Sequence, residues 1–187
     1  MFDRHYREGD MSQINREWQV IHDQSEVDAN LPVKQVYIWL ITRDNHIVVV
    51  SKDGENWQLP GGKPDPDDAD LPTTAVREVF EETGLKIQDR ANDITFFGQY
   101  CIKNTDPDSG EEPYLQVRTW LPLNVPSAEL NLYTSGESQA QRAEDTVRFV
   151  RTVHLDNLCE LIPWMKDSEE FKSLKRTKVI KVSPPGS

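Results

Sequence analysis

The 187-residue chain reads as an α/β protein in which a mixed β-sheet lies between helices. Three observations predict this. Segments rich in β-branched and aromatic residues come before residue 60 and read as strands. One well-bounded helix follows at about 71–84. Further strands come after it, with a second amphipathic helical stretch near the end, and that order suits a sheet with helices packed on it.

Taken in order, residues 1–30 are polar, with a sparse apolar set of Ile14, Trp18, Val20, Ile21 and Val27. Residues 1–12 read as flexible, and Arg16–Ile21 suits either a short strand or a helical turn. Val33–Thr42 (VKQVYIWLIT) is the clearest strand, and Arg43-Asp44-Asn45 turns the chain into a second, nearly continuous apolar strand at Ile47–Ser51. Asp53-Gly54-Glu55 turns again into Trp57–Leu59, and Pro60-Gly61-Gly62 breaks the run. Asp70 is placed to cap the helix, Pro72 is tolerated in its first turn, and Gly84 supplies the stop. Beyond it, Leu85–Ile87 and Ile94–Lys103 read as strands, and Asn104–Pro113 as a loop. Tyr114–Leu123 reads as a strand with Leu115, Val117 and Thr119 alternating against Gln116, Arg118 and Trp120. Residues 124–143 carry no clear pattern. A strand is predicted at Thr146–Val153, an amphipathic helix started by Asp156 at Leu155–Met165, a second helical piece at Lys166–Arg176, and a short strand at Val179–Val182. The expected division is an N-terminal extension at 1–30, one domain at 31–165, and a C-terminal extension and tail at 166–187.

Composition narrows the function classes. Apolar content of 36% and charged content of 28% suit a soluble globular domain. No segment approaches the roughly 20 apolar residues of a bilayer span, and the N-terminus lacks the apolar run of a secretory signal. Two cysteines, Cys101 and Cys159, sit in apolar contexts without CxxC spacing, as buried reduced thiols of a cytoplasmic protein would. A net charge of −11 argues against a nucleic acid duplex as partner, because phosphate backbones are held by Lys and Arg. It leaves room for a small phosphorylated substrate accompanied by metal ions.

The chemistry concentrates in Arg77-Glu78-Val79-Phe80-Glu81-Glu82-Thr83-Gly84-Leu85. At about 100° per residue, Glu78, Glu81 and Glu82 fall within an arc of roughly 100° on one helix face. Folding alone does not favour like charges so close, since such pairs cost a few tenths of a kcal/mol each when solvated and more when partly buried. A hard divalent cation, Mg²⁺ or Mn²⁺, removes that penalty. An acidic solvated helix face is the competing explanation. Upstream, the Leu59-Pro60-Gly61-Gly62-Lys63 turn lets backbone approach a ligand closely.

Together these residues resemble the Nudix box: a glycine, a spaced glutamate, then Arg-Glu-apolar-any-Glu-Glu-any-Gly-apolar. Arg77 to Leu85 match position for position, and Gly62 matches the leading glycine. One departure stands out. The family's isolated glutamate falls on Asp68 when counted from Gly62 but on Ala69 when counted back from Arg77, so the 63–70 loop is one residue longer and carries aspartate. Either Asp68 or Asp70 can take that part, and Asp65 and Asp67 can equally belong to a solvated turn.

The resemblance implies a Nudix-type α/β/α sandwich. It implies a divalent-metal-dependent hydrolase that cleaves the pyrophosphate of a nucleoside diphosphate linked to another moiety: a modified dNTP, a dinucleoside polyphosphate or a nucleotide conjugate. Glu78, Glu81 and Glu82, with the Gly62 carbonyl, are then the metal ligands, and Arg77 fixes the helix by an ion pair. The general base is Glu81 within the box, or Glu144 or Asp145 before a late strand. Lys63, Tyr100 and Arg118 are the substrate-binding candidates. Tyr37, Trp39, Tyr114 and Trp120 offer stacking surface or belong to the sheet, and Lys103, Arg148 and Arg151 offer phosphate contacts or solvated pairs. Tyr100, 15 residues past Leu85, lies near where dinucleoside-polyphosphate members carry tyrosine, whereas the ADP-ribose and NADH signatures are absent. The histidines are scattered, and none is assigned to metal. Dimers are frequent in the family, so a homodimer is among the implications, although no residue here marks one. Two other classes stay in view: a catalytically silent nucleotide-binding sensor, and an interaction domain whose acidic helix binds Ca²⁺.

Overall fold

The structure, a computed structural model, describes residues 14–106, 109–133 and 147–176. Its strands are β1 (Ile14–Gln19), β2 (Val33–Thr42), β3 (His46–Ser51), β4 (Trp57–Gln58), β5 (Gly61–Gly62), β6 (Thr95–Asn104), β7 (Tyr114–Leu123) and β8 (Phe149–His154). The helices are α1 (Leu71–Thr83), α2 (Leu158–Leu161) and α3 (Glu169–Arg176). The sheet runs β1-β6-β7-β2-β3-β4, with β5 pairing β2 and β8 pairing β3. β2 and β7 are parallel and the other pairs are antiparallel, so the sheet is mixed as predicted.

β2 is the central plate, buried on both faces. Its Val36, Ile38 and Leu40 pack with Ala75, Val76 and Val79 of α1, while its Trp39 and Ile41 pack with Leu158, Met165, Phe171 and Leu174 of the C-terminal segment. Period-2 alternation assigns odd and even residues of β2 to opposite layers, which gives the helix–sheet–helix arrangement. α1 begins where Asp70 accepts the Thr73 N–H at 2.8 Å and ends at Gly84, whose left-handed φ of 78° closes the last turn onto the Phe80 carbonyl.

Several elements differ from expectation for identifiable reasons. Tyr114–Leu123 does not alternate between core and solvent, because Gln116 and Arg118 are buried on the face that α3 covers. Leu85–Ile87 is not a strand: Leu85 and Ile87 fill space beneath α1, and a 3-10 helix follows at Gln88–Asp93. The single helix expected at Leu155–Met165 is broken into a 3-10 turn at Leu155–Asn157, α2, and a second 3-10 turn at Pro163–Asp167. Pro163 forces the break, since it lacks an N–H and pushes Ile162 out of helical geometry, to ψ 78°. The second helical piece starts later, at Glu169, where the Ser168 hydroxyl accepts the Phe171 N–H. Of the Arg16–Ile21 stretch, Arg16–Gln19 is strand, with β1 pairing β6 from Ile14 to Gln19, while Val20 and Ile21 lie beyond it. Residues 14–19 and 169–176, expected outside the 31–165 domain, thus contribute to its sheet and core. The strand expected at Val179–Val182 lies outside the described residues. Cys101 and Cys159 are both free thiols and partly buried. Among the described residues no helix is long and apolar enough to cross a membrane.

Val79, fully buried between α1 and the sheet, reports on this docking. Val79→Ala is expected to lower unfolding stability by about 2–3 kcal/mol through lost transfer energy and a residual cavity, read as a lower urea midpoint at unchanged m-value.

Candidate active site

The glycine pair brings loop and helix together. β5 lies beside β2, with Gly61 opposite Tyr37 and Gly62 opposite Val36. Gly61 has φ 150°, and a Cβ there would strike the Val36 carbonyl and the Tyr37 backbone. A Cβ on Gly62 would strike the Glu78 carboxylate. Only glycine therefore lets the loop backbone lie directly against an α1 glutamate.

On α1, the Gly61 N–H donates to Glu82 Oε2 at 2.8 Å. Arg77 Nη1 donates to Glu78 Oε1 at 2.8 Å and stands 3.5 Å from Glu81 Oε2. Behind them the same guanidinium forks onto Asp68, Nε to Oδ1 at 3.1 Å and Nη2 to Oδ2 at 3.0 Å, and Nη2 also donates to the Lys63 carbonyl at 3.0 Å. Asp68 further accepts the Thr74 hydroxyl at 2.8 Å and the Asp65 N–H at 2.9 Å. Among the described residues Asp70 bonds the helix N-terminus alone, through Thr73. The two aspartates left open by the sequence thus divide the work. Asp68 anchors Arg77, and Asp70 caps α1.

The electrostatics follow from this geometry. The hydrogen bonds from Arg77 hold the Asp68 carboxyl down at about 2. Burial pushes Glu78 above the ordinary glutamate range; Arg77 opposes that shift, and Glu81 and Asp68 reinforce it. Arg77 itself is raised by its bonds to Asp68 and Glu78.

The donor set is entirely carboxylate and backbone oxygen, which suits Mg²⁺ or Mn²⁺. The raised Glu78 shows a charged side chain for which a nearby cation would be stabilising. As they stand, among the described residues no three His, Cys, Asp or Glu side chains enclose a common point. Arg77 Nη1 lies between Glu78 and Glu81, and Glu82 is turned to the Gly61 N–H. The residues fit a divalent ion in kind, with Arg77 and a backbone N–H holding the carboxylates apart.

The remaining candidates fall in two places. The Lys63 side chain is exposed beside the turn. Tyr100 and Arg118 lie on the sheet face opposite α1, 8% and 5% exposed. Arg118 Nε donates to Glu170 Oε1 of α3 at 2.9 Å, and its guanidinium lies 4.4 Å from the Tyr37 ring centroid and 5.3 Å from that of Tyr100. Tyr37, whose ring abuts Gly61, joins this cluster to the loop. Gln35 Oε1 accepts both the Tyr37 hydroxyl and Gln116 Nε2, and Trp39 Nε1 donates to Glu170 Oε1 at 2.8 Å. Burial chiefly pushes the Tyr100 phenol up to about 12. Glu144 and Asp145 lie outside the described residues. Lys103 stands 3.6 Å from Glu17, Arg151 stacks on Trp57, and His46 meets His154 edge to face across β3 and β8. The role of Glu170 had no signal in the sequence, where it is one of two acidic residues opening a charged helix.

Matched against protein families, residues 31–174 fit the NUDIX domain. The chain belongs to the Nudix hydrolase family. No curated protein matches this Nudix chain in sequence. Among solved structures it is similar to the Bacillus subtilis pyrophosphohydrolase BsRppH, 19% identical, with a TM-score of 0.58 over 89% of this chain and 94% of that one. It is also similar to the NUDIX domain of Shewanella oneidensis NrtR complexed with ADP ribose, at 16% identity and a TM-score of 0.49 over 73% of this chain and 84% of that one. The C. elegans Ap4A hydrolase follows, 13% identical, with a TM-score of 0.49 over 78% of this chain and 98% of that one. At such identities the likeness is one of fold.

Two predictions arise from the Nudix site and its surroundings. Because the Asp68 carboxyl is lowered from 3.8 to about 2, its stabilising contribution is complete above pH 3.8 and is lost as pH falls towards 2. Asp68→Asn should therefore lower stability at neutral pH by about 1–3 kcal/mol and flatten the stability curve between those pH values, measured by urea unfolding across pH. On the other face, Arg118→Met leaves the fully buried Glu170 uncompensated and should cost about 3–5 kcal/mol, whereas Arg118→Met with Glu170→Leu should recover most of it.

Proposed function

We propose that this Nudix protein is a divalent-metal-dependent hydrolase that cleaves the pyrophosphate bond of a nucleoside diphosphate linked to another moiety: a modified dNTP, a dinucleoside polyphosphate or a nucleotide conjugate. The observation that carries the proposal is the meeting of Glu78 and Glu82 with the Gly61–Gly62 backbone, with Glu81 on the same helix face. Glu78, Glu81 and Glu82 would hold Mg²⁺ or Mn²⁺, with the Gly62 carbonyl as a further oxygen. A bound ion supplies charge neutralisation at a phosphoryl oxygen and makes a bound water more acidic.

The chain's own residues supply the rest. Attack on phosphorus needs little covalent chemistry from the protein, so positioning and electrostatics carry most of the acceleration. Arg77 orients the carboxylate face by gripping Asp68 and the Lys63 carbonyl behind it. Glu81, 48% exposed and 3.5 Å from Arg77 where Glu78 is at 2.8 Å, is the general-base candidate on α1; Glu144 is the candidate outside it. The exposed Lys63 ammonium can meet a phosphate entering over the glycine turn. Tyr100 and Arg118, buried against α3, would act on the substrate only by setting the position of Tyr37 beside that turn. A silent nucleotide-binding sensor would not need all three glutamates, and their retention beside an intact glycine pair supports turnover.

The test uses Glu82→Gln, which keeps an acceptor for Gly61 N–H while removing the charge. Activity against a panel of dNTPs, dinucleoside polyphosphates and nucleotide sugars should fall by at least about 10²-fold. Mg²⁺ should raise the thermal midpoint of the wild-type protein, because it binds only the folded state, and should raise that of the variant much less. Undiminished activity in Glu82→Gln would remove α1 as the metal site.

A further inference from the structure

The Gly61–Gly62 turn has no side chains to hold it, and β5 pairs with β2 over just these two residues. Glycine loses more conformational freedom on folding than any other residue, so a glycine strand this short needs support from its neighbours. On the α1 side, the Gly61 N–H donates to Glu82 Oε2 at 2.8 Å. Just upstream, the Ile38 N–H donates to the Pro60 carbonyl at 3.0 Å. The remaining support is Tyr37. It stands opposite Gly61 in register and packs with the core on the α3 side. Its Cδ1 lies 2.9 Å from where a Cβ on Gly61 would be.

Tyr37 is itself held. Its hydroxyl donates to Gln35 Oε1 at 2.7 Å, and the Arg118 guanidinium lies over its ring, 4.4 Å from the centroid. Arg118 is fixed in turn by the fully buried Glu170, whose Oε1 accepts Arg118 Nε at 2.9 Å and Trp39 Nε1 at 2.8 Å. Stability alone gives no reason for this pair. Apolar residues of similar volume often match or exceed a buried ion pair in stability. Here the pair is also incompletely satisfied, since Arg118 Nη1 and Glu170 Oε2 lack partners among the described residues. What it provides, and an apolar substitute would not, is a planar cation fixed over an aromatic face.

We infer that Arg118, clamped by Glu170, is a positioning residue for the glycine turn. The guanidinium holds the Tyr37 ring, the ring backs Gly61, and the Gly61 N–H is thereby kept on Glu82. Arg118 and Glu170 act here through the backbone of the turn and not by touching substrate. The inference deepens the hydrolase reading and rests on it only for the consequence at the metal. How the turn is held does not depend on that reading.

The test combines Arg118→Met with Glu170→Gln. This double variant removes the guanidinium, leaves neither charge buried alone, and keeps an acceptor for Trp39 Nε1. Hydrogen exchange of the Gly61 amide is followed by NMR in the metal-free full chain. The amide of Leu40, fully buried in β2, is the control, and urea unfolding gives the global stability. Gly61 should exchange about tenfold faster in the double variant, the size expected when a desolvated cation–π contact is lost. Leu40 exchange should stay near that of the wild type. Tyr37→Leu should reproduce the faster Gly61 exchange, and Tyr37→Phe, which keeps the ring, should not. The double variant should also bind Mn²⁺ more weakly, read by electron paramagnetic resonance. The inference is overturned if Gly61 exchange is unchanged in the double variant or in Tyr37→Leu. It is equally overturned if Leu40 accelerates as much as Gly61, because the pair then acts on global stability alone. If the wild type binds no Mn²⁺, the hydrolase reading fails, and the exchange comparison still decides the inference.

Discussion

Glu78, Glu81 and Glu82 crowd one turn of α1, and their mutual repulsion is the constraint to which the surrounding structure answers. Each has a compensating neighbour. Glu78 and Glu81 face Arg77, and Glu82 faces the Gly61 N–H. Arg77 can serve two acidic partners at the front only because Asp68 and the Lys63 carbonyl fix it from behind. The loop, the helix and the glycine strand are thereby one electrostatic unit, and its net charge remains negative. That residual charge gives a divalent cation a reason to bind; Glu78 is raised chiefly by its burial, with Glu81 and Asp68 adding to the shift against the opposing Arg77.

The opposite face of the sheet solves a different problem. Arg118 and Glu170 are both buried, and a pair in that setting is held by hydrogen bonds more than by Coulomb attraction alone. Trp39, Gln116 and Gln35 extend the bonding from Glu170 towards Tyr37. Among the described residues Arg118 Nη1 and Glu170 Oε2 still lack partners. The network reaches the Tyr37 ring, which abuts Gly61, so β2 carries the carboxylate site on one side and this polar layer on the other. α3 thus meets the sheet both through the Glu170–Arg118 pair and through Phe171, which stacks on Trp39.

How much of this was legible in the sequence follows from how far apart the cooperating residues lie. Val33–Thr42 and Tyr114–Leu123 read as strands at the bounds they adopt, because β-branched and aromatic runs carry a local signal. The ends of α1 were legible because Asp70 and Gly84 mark them within the helix's own stretch. The Glu78–Glu82 face needed only helical periodicity. By contrast, the polarity of Gln116 and Arg118 suggested solvent, since the helix that buries them begins more than fifty residues later. Leu85 and Ile87 looked like strand residues because a short apolar run does not reveal whether it pairs or merely fills space. Glu170 was invisible for the same reason: nothing near it in sequence announces Trp39 or Arg118.

The departure of the 63–70 loop from the family pattern also becomes intelligible in three dimensions. It consists of two changes, aspartate for glutamate and one extra residue between that acid and Arg77. Aspartate is shorter by one methylene, about 1.5 Å of reach. The added residue gives the backbone freedom to bring Asp68 closer, and both of its oxygens meet Arg77, at 3.1 and 3.0 Å. It also separates two duties, anchoring Arg77 through Asp68 and capping α1 through Asp70. In this chain the longer loop thus lets the shorter acid hold Arg77 with both oxygens, and Arg77 in turn meets Glu78 and Glu81.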